Sequence, residues 1–189
     1  MEPFTTLKAI AAPFDMADID SDMLIPQRYL RKPLTVGYRN FLFYMHRFDD
    51  QGKEKPDFVL NKPAYRQAKI LVAGENFGMG SSRPIGEVMR GAGIAAVIAE
   101  SINGLAMRTC VNSSLPAINC AGVSALFNDG DVCRVDFLSG KIDNLTSGKS
   151  LQTHPMAPLL AEIVAAGGVV PMLLKEGYIH AEPFMASSS

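Results

Sequence analysis

A glycine-rich loop at residues 74–83 carries the side chains in this sequence that could do chemistry. It reads Gly-Glu-Asn-Phe-Gly-Met-Gly-Ser-Ser-Arg and directly follows an apolar run. Its three glycines permit positive φ and close backbone approach, so several N–H groups could converge on one anion. Arg83 adds a planar guanidinium suited to a carboxylate or phosphate, and Ser81 and Ser82 add hydroxyls beside it. The loop therefore predicts an anion-binding site with a hydroxyl available for reaction.

Familiar phosphate-binding loops need residues that this segment lacks. No lysine follows the glycines, as a P-loop requires, and the Gly-x-Gly-x-x-Ala match at residues 91–96 ends a predicted helix instead of opening one. A purely structural interpretation is a tight strand-to-helix turn, with Ser81 or Ser82 as the helix N-cap and Arg83 in solvent. The clustering of three glycines favours the functional interpretation.

Strands and helices alternate on both sides of the loop, which predicts an α/β core with parallel strands. An apolar stripe at Ile85, Val88, Met89 and Ala92 makes the segment after the loop a helix packed on that core. Ligands of such sheets bind at the carboxyl ends of the strands, where the loop would lie. The predicted order is a strand at residues 6–12, a turn at 18–25, a strand at 70–73, a helix to about residue 90, a strand at 94–99, a helix at 102–110 and a strand at 115–118.

The remaining segments are less regular. Residues 133–145 predict a β-hairpin turning at Ser139 and Gly140, and an amphipathic helix over residues 156–164 ends at two glycines. Residues 27–63 form an aromatic-rich insertion, in which residues 34–47 are either a short helix packed on the core or a mobile loop lining a substrate pocket. We expect a single domain over residues 1–189, with a loose tail from about residue 177.

Composition narrows the class of partner. The chain has 189 residues and a formal net charge of -1, and no dense block of lysine and arginine suggests nucleic acid or a membrane surface. Three cysteines and three histidines lack metal-site spacing, so we predict reduced, buried thiols and no metal on this chain. Without a signal peptide or an apolar run long enough to span a membrane, a cytoplasmic protein with a small-molecule substrate is expected.

The motif Asn-Phe-Gly-Met-Gly-Ser-Ser-Arg at residues 76–83 resembles the Asn-Phe-Gly-Cys-Gly-Ser-Ser-Arg signature of 3-isopropylmalate dehydratase small subunits, the separate-chain form of the aconitase swivelling domain. The resemblance extends from about residue 6 to residue 175 and implies a layered β/β/α swivelling domain. Further segments that match the family in order and spacing are residues 11–13, 18–22, 24–26, 56–61, 98–101 and 112–116.

This resemblance implies one subunit of a two-chain hydro-lyase of leucine biosynthesis, which isomerises 2-isopropylmalate to 3-isopropylmalate by dehydration and rehydration. The large subunit would carry a 4Fe-4S cluster that takes up the substrate hydroxyl, and this chain would bind no cofactor. Ser81 would be the catalytic base, and Ser82 and Arg83 would grip a substrate carboxylate together with Gly80 and Asn76. Residues implied in the second shell or the subunit interface are Asp20, Ser21 and Asp22.

Two departures from the family pattern leave room for a different function. Arg83-Pro84-Ile85-Gly86 stands where the family usually has Arg-Glu-His-Ala, and Met79 replaces the signature cysteine. The substrate could therefore be another 2-hydroxy dicarboxylate such as 2-methylmalate. The chain could also be a non-catalytic, carboxylate-binding regulatory module or a purely structural scaffold.

Overall fold

Seven β-strands form one mixed sheet in a computed structural model of the chain, which describes residues 5–30, 41–80 and 83–180. The strands are β1 (Thr6–Phe14), β2 (Ile70–Ala73), β3 (Ala96–Ala99), β4 (Ala117–Asn119), β5 (Val132–Asp136), β6 (Lys141–Asn144) and β7 (Ser150–Gln152). Their order across the sheet is β4-β3-β2-β1-β5-β6-β7. Strands β1 to β4 pair in parallel, and the pairing from β1 through β5 and β6 to β7 is antiparallel.

Strand β1 belongs to both halves of the sheet. Its residues 11–14 pair with β2, while residues 6–10 pair with β5. The sheet curls, so that the hydroxyl of Thr153, just beyond β7, donates to the carbonyl of Asn119 in β4 at 2.6 Å. This curl folds the antiparallel half over one face of the parallel half.

Every residue of β2 and β3 is buried. Leu71 and Ala73 face a first hydrophobic cluster, and Ile70 and Val72 face a second one on the other side of the sheet. Parallel strands covered on both faces read as continuous apolar runs, which is why the sequence pattern predicted them well.

Helices cover the two faces unequally. They are α1 (Ser21–Leu24), α2 (Tyr44–Arg47), α3 (Ile85–Gly91), α4 (Gly104–Asn112), α5 (Pro158–Ala165) and α6 (Val169–Lys175). Helix α3 packs its predicted stripe of Ile85, Val88 and Met89 into the first cluster, together with α4 and the buried part of the aromatic segment. The antiparallel strands and α5 enclose the second cluster. The predicted layered β/β/α architecture is confirmed.

The element boundaries differ from the predicted ones by a few residues, for local reasons. Helix α4 begins at Gly104 instead of residue 102 because the Asn103 side chain caps it, accepting from the N–H of Leu105 at 3.0 Å. The turn predicted at residues 18–25 contains α1, and Asp20 caps that helix by accepting from the N–H of Met23 at 2.7 Å.

Sequence analysis missed two elements near the C-terminus. Strand β7 has three residues with mainly exposed side chains, so it shows no apolar alternation. Helix α6 follows Gly168 directly, has Pro171 near its start and buries none of its residues. Without a buried stripe there is no 3.6-residue periodicity to detect.

Two expectations fall partly outside the described residues. The predicted loose tail from about residue 177 is described only to residue 180, and the predicted helix or loop over residues 34–47 is described only from residue 41. The single-domain division stays a prediction. Over the described part of the chain, no helix is by itself long and apolar enough to cross a membrane. Among the helices of the described residues, α5 and α6 taken together meet that test, with an 85° bend between them.

Candidate active site

The glycine-rich loop begins at the carboxyl end of β2 and is hydrogen-bonded to the segment that follows β1. The carbonyl of Ile19 accepts from the N–H groups of Gly78 at 2.7 Å and Met79 at 3.1 Å. In return, the carbonyl of Met79 accepts from the N–H of Ser21 at 2.8 Å. These bonds place α1 beside the loop, at the sheet edge where the sequence predicted a site.

Ser101, two residues beyond the end of β3, holds the other side of the loop. The Ser101 hydroxyl accepts from the N–H of Asn76 at 2.8 Å, and the Ser101 carbonyl accepts from the N–H of Phe77 at 2.9 Å. Asn76 has a left-handed backbone with φ 55°, and its side-chain amide donates to Asp18 at 2.8 Å. Ser101 thus fixes a strained turn at the start of the residue 76–83 motif.

The predicted convergence of loop N–H groups on an anion is wrong for residues 76–79. All four of these N–H groups donate to acceptors within the chain, namely Ile19 and Ser101. Buried backbone donors need partners, and the neighbouring strand ends supply them. These four N–H groups are therefore not available to an anion, and Arg83 is the cationic side chain of the described loop.

The three glycines do have the backbone roles that were predicted. Gly78 and Gly80 have φ of +74° and +100°, while Gly74 allows close approach, because a Cβ there would lie 2.7 Å from the Met16 carbonyl. A Cβ at Gly80 would lie 3.2 Å from the Ser21 hydroxyl. Larger residues would push the loop away from the segment after β1.

Arg83 is buried, with 8% of its side chain exposed, so the interpretation that placed it in solvent is wrong. Its Nη1 donates to the Ile25 carbonyl at 3.0 Å, and its Nη2 pairs with the Asp22 carboxylate at 2.7 Å. The same interpretation made Ser81 or Ser82 the helix N-cap, but α3 starts at Ile85 with Pro84 in the capping position. The loop ends with a guanidinium held in a fixed place.

The structure brings the predicted residues of the acidic turn together at the loop. Asp20 caps α1, Ser21 is buried next to Gly80, and Asp22 binds Arg83. Their functional roles stay predictions, as do those of Asn76 and Gly80. Ser81 and Ser82 lie outside the described residues.

Sequence reasoning missed Ser101 and the carbonyl groups of Ile19 and Ile25 as parts of this site. Ser101 had a readable signal, since it is a hydroxyl residue just after a buried parallel strand and therefore at the ligand edge of the sheet. The two carbonyls had none, because every residue carries one.

The aromatic segment lies partly in the core and partly along a cavity. Leu42 and Phe43 are fully buried in the core. Tyr29 and Tyr44 instead line a cavity of about 390 Å³, where the Arg28 guanidinium lies 5.0 and 5.1 Å from their ring centroids. The 3₁₀ turn with Arg28 and Tyr29 begins two residues after Ile25, the partner of Arg83.

Metal ligands and reactive thiols do not cluster in the described residues. Within residues 5–30, 41–80 and 83–180, no three His, Cys, Asp or Glu side chains are close enough to hold a metal ion, so these residues do not fit an iron–sulfur cluster. Cys110, Cys120 and Cys133 are buried free thiols, as predicted. Burial raises the pKa of Cys110 to about 12, which keeps it protonated and unreactive.

Glu100 directly follows β3 and stabilises the same edge of the sheet through hydrogen bonds. Its carboxylate accepts from the N–H groups of Gly122 at 2.6 Å and Ser124 at 2.7 Å. Burial raises the pKa of this carboxyl, but the two backbone donors outweigh burial and leave the pKa below its ordinary value.

Comparison with known proteins agrees with this architecture. The family described as the aconitase C-terminal domain matches residues 1–118. The 3-isopropylmalate dehydratase small subunit of Rhodopseudomonas palustris strain BisA53 is 44% identical over 134 residues, 69% of this chain and 67% of that protein. The corresponding protein of Nitrobacter hamburgensis is 43% identical over 134 residues, with the same coverage.

A solved structure extends the likeness to almost the whole chain. The crystal structure of 3-isopropylmalate dehydratase from Methanocaldococcus jannaschii matches with a TM-score of 0.74 and 30% identity, covering 92% of this chain and 96% of that one. The resemblance seen in the residue 76–83 motif is thereby confirmed, and the chain belongs to the aconitase C-terminal domain family, with 3-isopropylmalate dehydratase small subunits among its relatives.

Proposed function

We propose that this chain is the small subunit of a hydro-lyase that isomerises 2-isopropylmalate to 3-isopropylmalate in leucine biosynthesis. The observation that carries the proposal is the buried guanidinium of Arg83, fixed by Ile25 and Asp22 at the end of the loop that matches the family motif. A guanidinium held in this way is suited to bind a carboxylate in one orientation.

Within this proposal, the residues of the loop have separate roles in substrate binding and proton transfer. Arg83 and Ser82 bind a substrate carboxylate, with Gly80 and Asn76 shaping the site around it. Ser81 removes the proton from the carbon next to that carboxylate. Glycine at position 80 lets the loop lie against α1, because a Cβ there would be 3.2 Å from the Ser21 hydroxyl.

The chemistry places a strong demand on Ser81. Lowering a hydroxyl pKa by roughly six units requires about 8 kcal/mol of differential stabilisation. A helix N-terminus supplies at most about 2 kcal/mol, and the pairing of Arg83 with Asp22 weakens the positive field that the loop offers. The remainder must come from a closed, water-excluding interface, so the isolated chain should be inactive.

We infer that the closing partner is a large subunit that carries a 4Fe-4S cluster, because the relatives are named small subunits and the resemblance to the aconitase family implies such a partner. The cluster would supply the chemistry at the substrate hydroxyl, and this chain would hold the carboxylate and move the proton. We place the complex in the cytoplasm, where buried free thiols stay reduced.

The decisive experiment is anaerobic co-expression with a candidate cluster-bearing large subunit from the same genome, followed by activity assays. Ser81→Ala should abolish turnover of 2-isopropylmalate and leave subunit association unchanged, because it removes a base and leaves the interface intact. Ser139→Ala, in the exposed turn of the β5–β6 hairpin, is the matched control and should be fully active. Full turnover by Ser81→Ala would remove Ser81 from the catalytic role.

The Pro84-Ile85-Gly86 segment favours a second candidate function, a paralogous subunit acting on another 2-hydroxy dicarboxylate. Ile85 is buried and nonpolar where the family usually has histidine, so the charge near Arg83 differs from the family pattern. Parallel assays on 2-isopropylmalate and 2-methylmalate separate these candidates. Binding of either acid by a cluster-loaded complex without turnover would instead indicate a regulatory module.

A further inference from the structure

The ion pair between Arg83 and Asp22 is unequal in exposure. The Arg83 side chain is 8% exposed, whereas the Asp22 side chain is 61% exposed. The buried member is the cation, and the carboxylate lies on the solvent side of it. A ligand that approaches Arg83 from solvent therefore meets Asp22.

The Ile25 carbonyl and the Asp22 carboxylate, which both bind Arg83, also differ in how easily they can leave. Ile25 offers a main-chain carbonyl at the end of α1, and that helix is anchored to the loop through the N–H of Ser21 and the carbonyl of Met79. Asp22 offers a side chain that can rotate into water with little change in its hydration, because most of it is already exposed to solvent.

A guanidinium stays charged at every physiological pH, so a buried one needs an anionic or carbonyl partner at all times. We propose that Asp22 is a placeholder counter-ion, which occupies Arg83 in the free chain and is exchanged for the carboxylate of a 2-hydroxy dicarboxylate when it binds. Asp22 thereby acts on substrate through Arg83 as a positioning residue. This inference rests on the proposed function, since it takes Arg83 as the group that binds substrate.

The exchange predicts the direction of a mutational effect. Asp22→Asn keeps the shape of the side chain and an acceptor oxygen but removes the charge that competes with the ligand. Carboxylate binding should then become about fivefold tighter, since an ion pair with one exposed partner contributes up to about 1 kcal/mol. If Asp22 only supported the structure, the same variant would bind carboxylates more weakly.

The test is a titration of the full-length chain and of its complex with the large subunit, using malate as the probe. Asp22→Asn should bind malate about fivefold tighter than wild type in both forms, and Arg83→Met should lose the binding. Asp15→Asn, which removes an exposed carboxylate beyond the end of β1, controls for general charge and should match wild type.

Unchanged or weaker malate binding by Asp22→Asn would overturn the exchange, as would an equal gain in Asp15→Asn. Failure of both wild type and Asp22→Asn to bind malate would overturn it as well. A different outcome would refute the proposed function and leave the exchange intact: the complex binds malate and shows the Asp22→Asn gain but does not turn over 2-isopropylmalate.

Discussion

Gly78 is the position where the structure most sharply limits what the loop can tolerate. Its φ is +74°, and a Cβ built there would lie 2.3 Å from the Cβ of Ala106 in α4 and 3.2 Å from Cδ1 of Ile85. A left-handed backbone costs a non-glycine residue about 1–2 kcal/mol. Insertion of a methyl group into a filled core costs about 1–3 kcal/mol more. Gly78→Ala should therefore lower the free energy of unfolding by about 2–5 kcal/mol.

Two other glycines separate these contributions. Gly93 has φ +93° but open space around its Cβ position, so Gly93→Ala carries only the backbone cost, about 1–2 kcal/mol. Gly104 begins α4 without a left-handed backbone and with no atom within 4 Å, so Gly104→Ala should stabilise the chain by up to about 1 kcal/mol.

Urea unfolding of the isolated chain, followed by circular dichroism, measures all three variants under the same conditions. The excess loss in Gly78→Ala over Gly93→Ala isolates the contact with α4. If the two variants lose the same stability, α4 yields to the added methyl group, and the claim that the loop is locked against that helix is refuted.

Two further predictions concern the residues that follow β3. Ser101→Ala removes the acceptor of the Asn76 N–H and should lower the free energy of unfolding by about 1 kcal/mol. The assembled enzyme should also lose turnover. Wild-type values in urea unfolding and in the activity assay would contradict this role. The second prediction concerns Glu100, whose pKa in the folded state lies below its unfolded value. The stability that its carboxylate contributes is therefore present above the unfolded pKa of about 4.3 and is lost as the pH falls through the folded pKa. Glu100→Gln should therefore lose less stability than wild type when urea unfolding is repeated from about pH 5 to about pH 3, and equal losses would exclude this linkage.

The sequence predicted the parallel core because the physical signal there is local. Strands β2 and β3 are buried on both faces, so every position is apolar and the runs stand out between glycine-rich turns. The stripe on α3 is equally local, since Ile85, Val88 and Met89 share one face of a single helix. The glycines of the loop also had a local meaning, because positive φ and close approach exclude most other residues.

The geometry of the site depended on partners that local patterns do not show. Whether the N–H groups of the loop face an anion or the protein is decided by the carbonyl of Ile19 and by Ser101, which come from two other parts of the chain. The burial of Arg83 likewise depends on Asp22 and on the Ile25 carbonyl. The family resemblance assigned both Asp22 and Arg83 to the site, but it did not indicate that the guanidinium already has a carboxylate partner.

The pairing of Asp22 with Arg83 bears on how the Pro84-Ile85-Gly86 segment, which departs from the family pattern, is interpreted. A Cβ at Gly86 would lie 2.6 Å from the Thr109 carbonyl, so α3 and α4 pack closer than the alanine usual in the family would allow. Ile85 points into the core that this close packing creates. Ile85 and Gly86 thus belong to one close contact between two helices. Relative to the family pattern, Pro84 and Ile85 replace a carboxylate and an imidazole next to Arg83. Asp22 is the carboxylate paired with Arg83 in the described structure, and we expect the proposed exchange at that pair to act on any dicarboxylate that the site accepts.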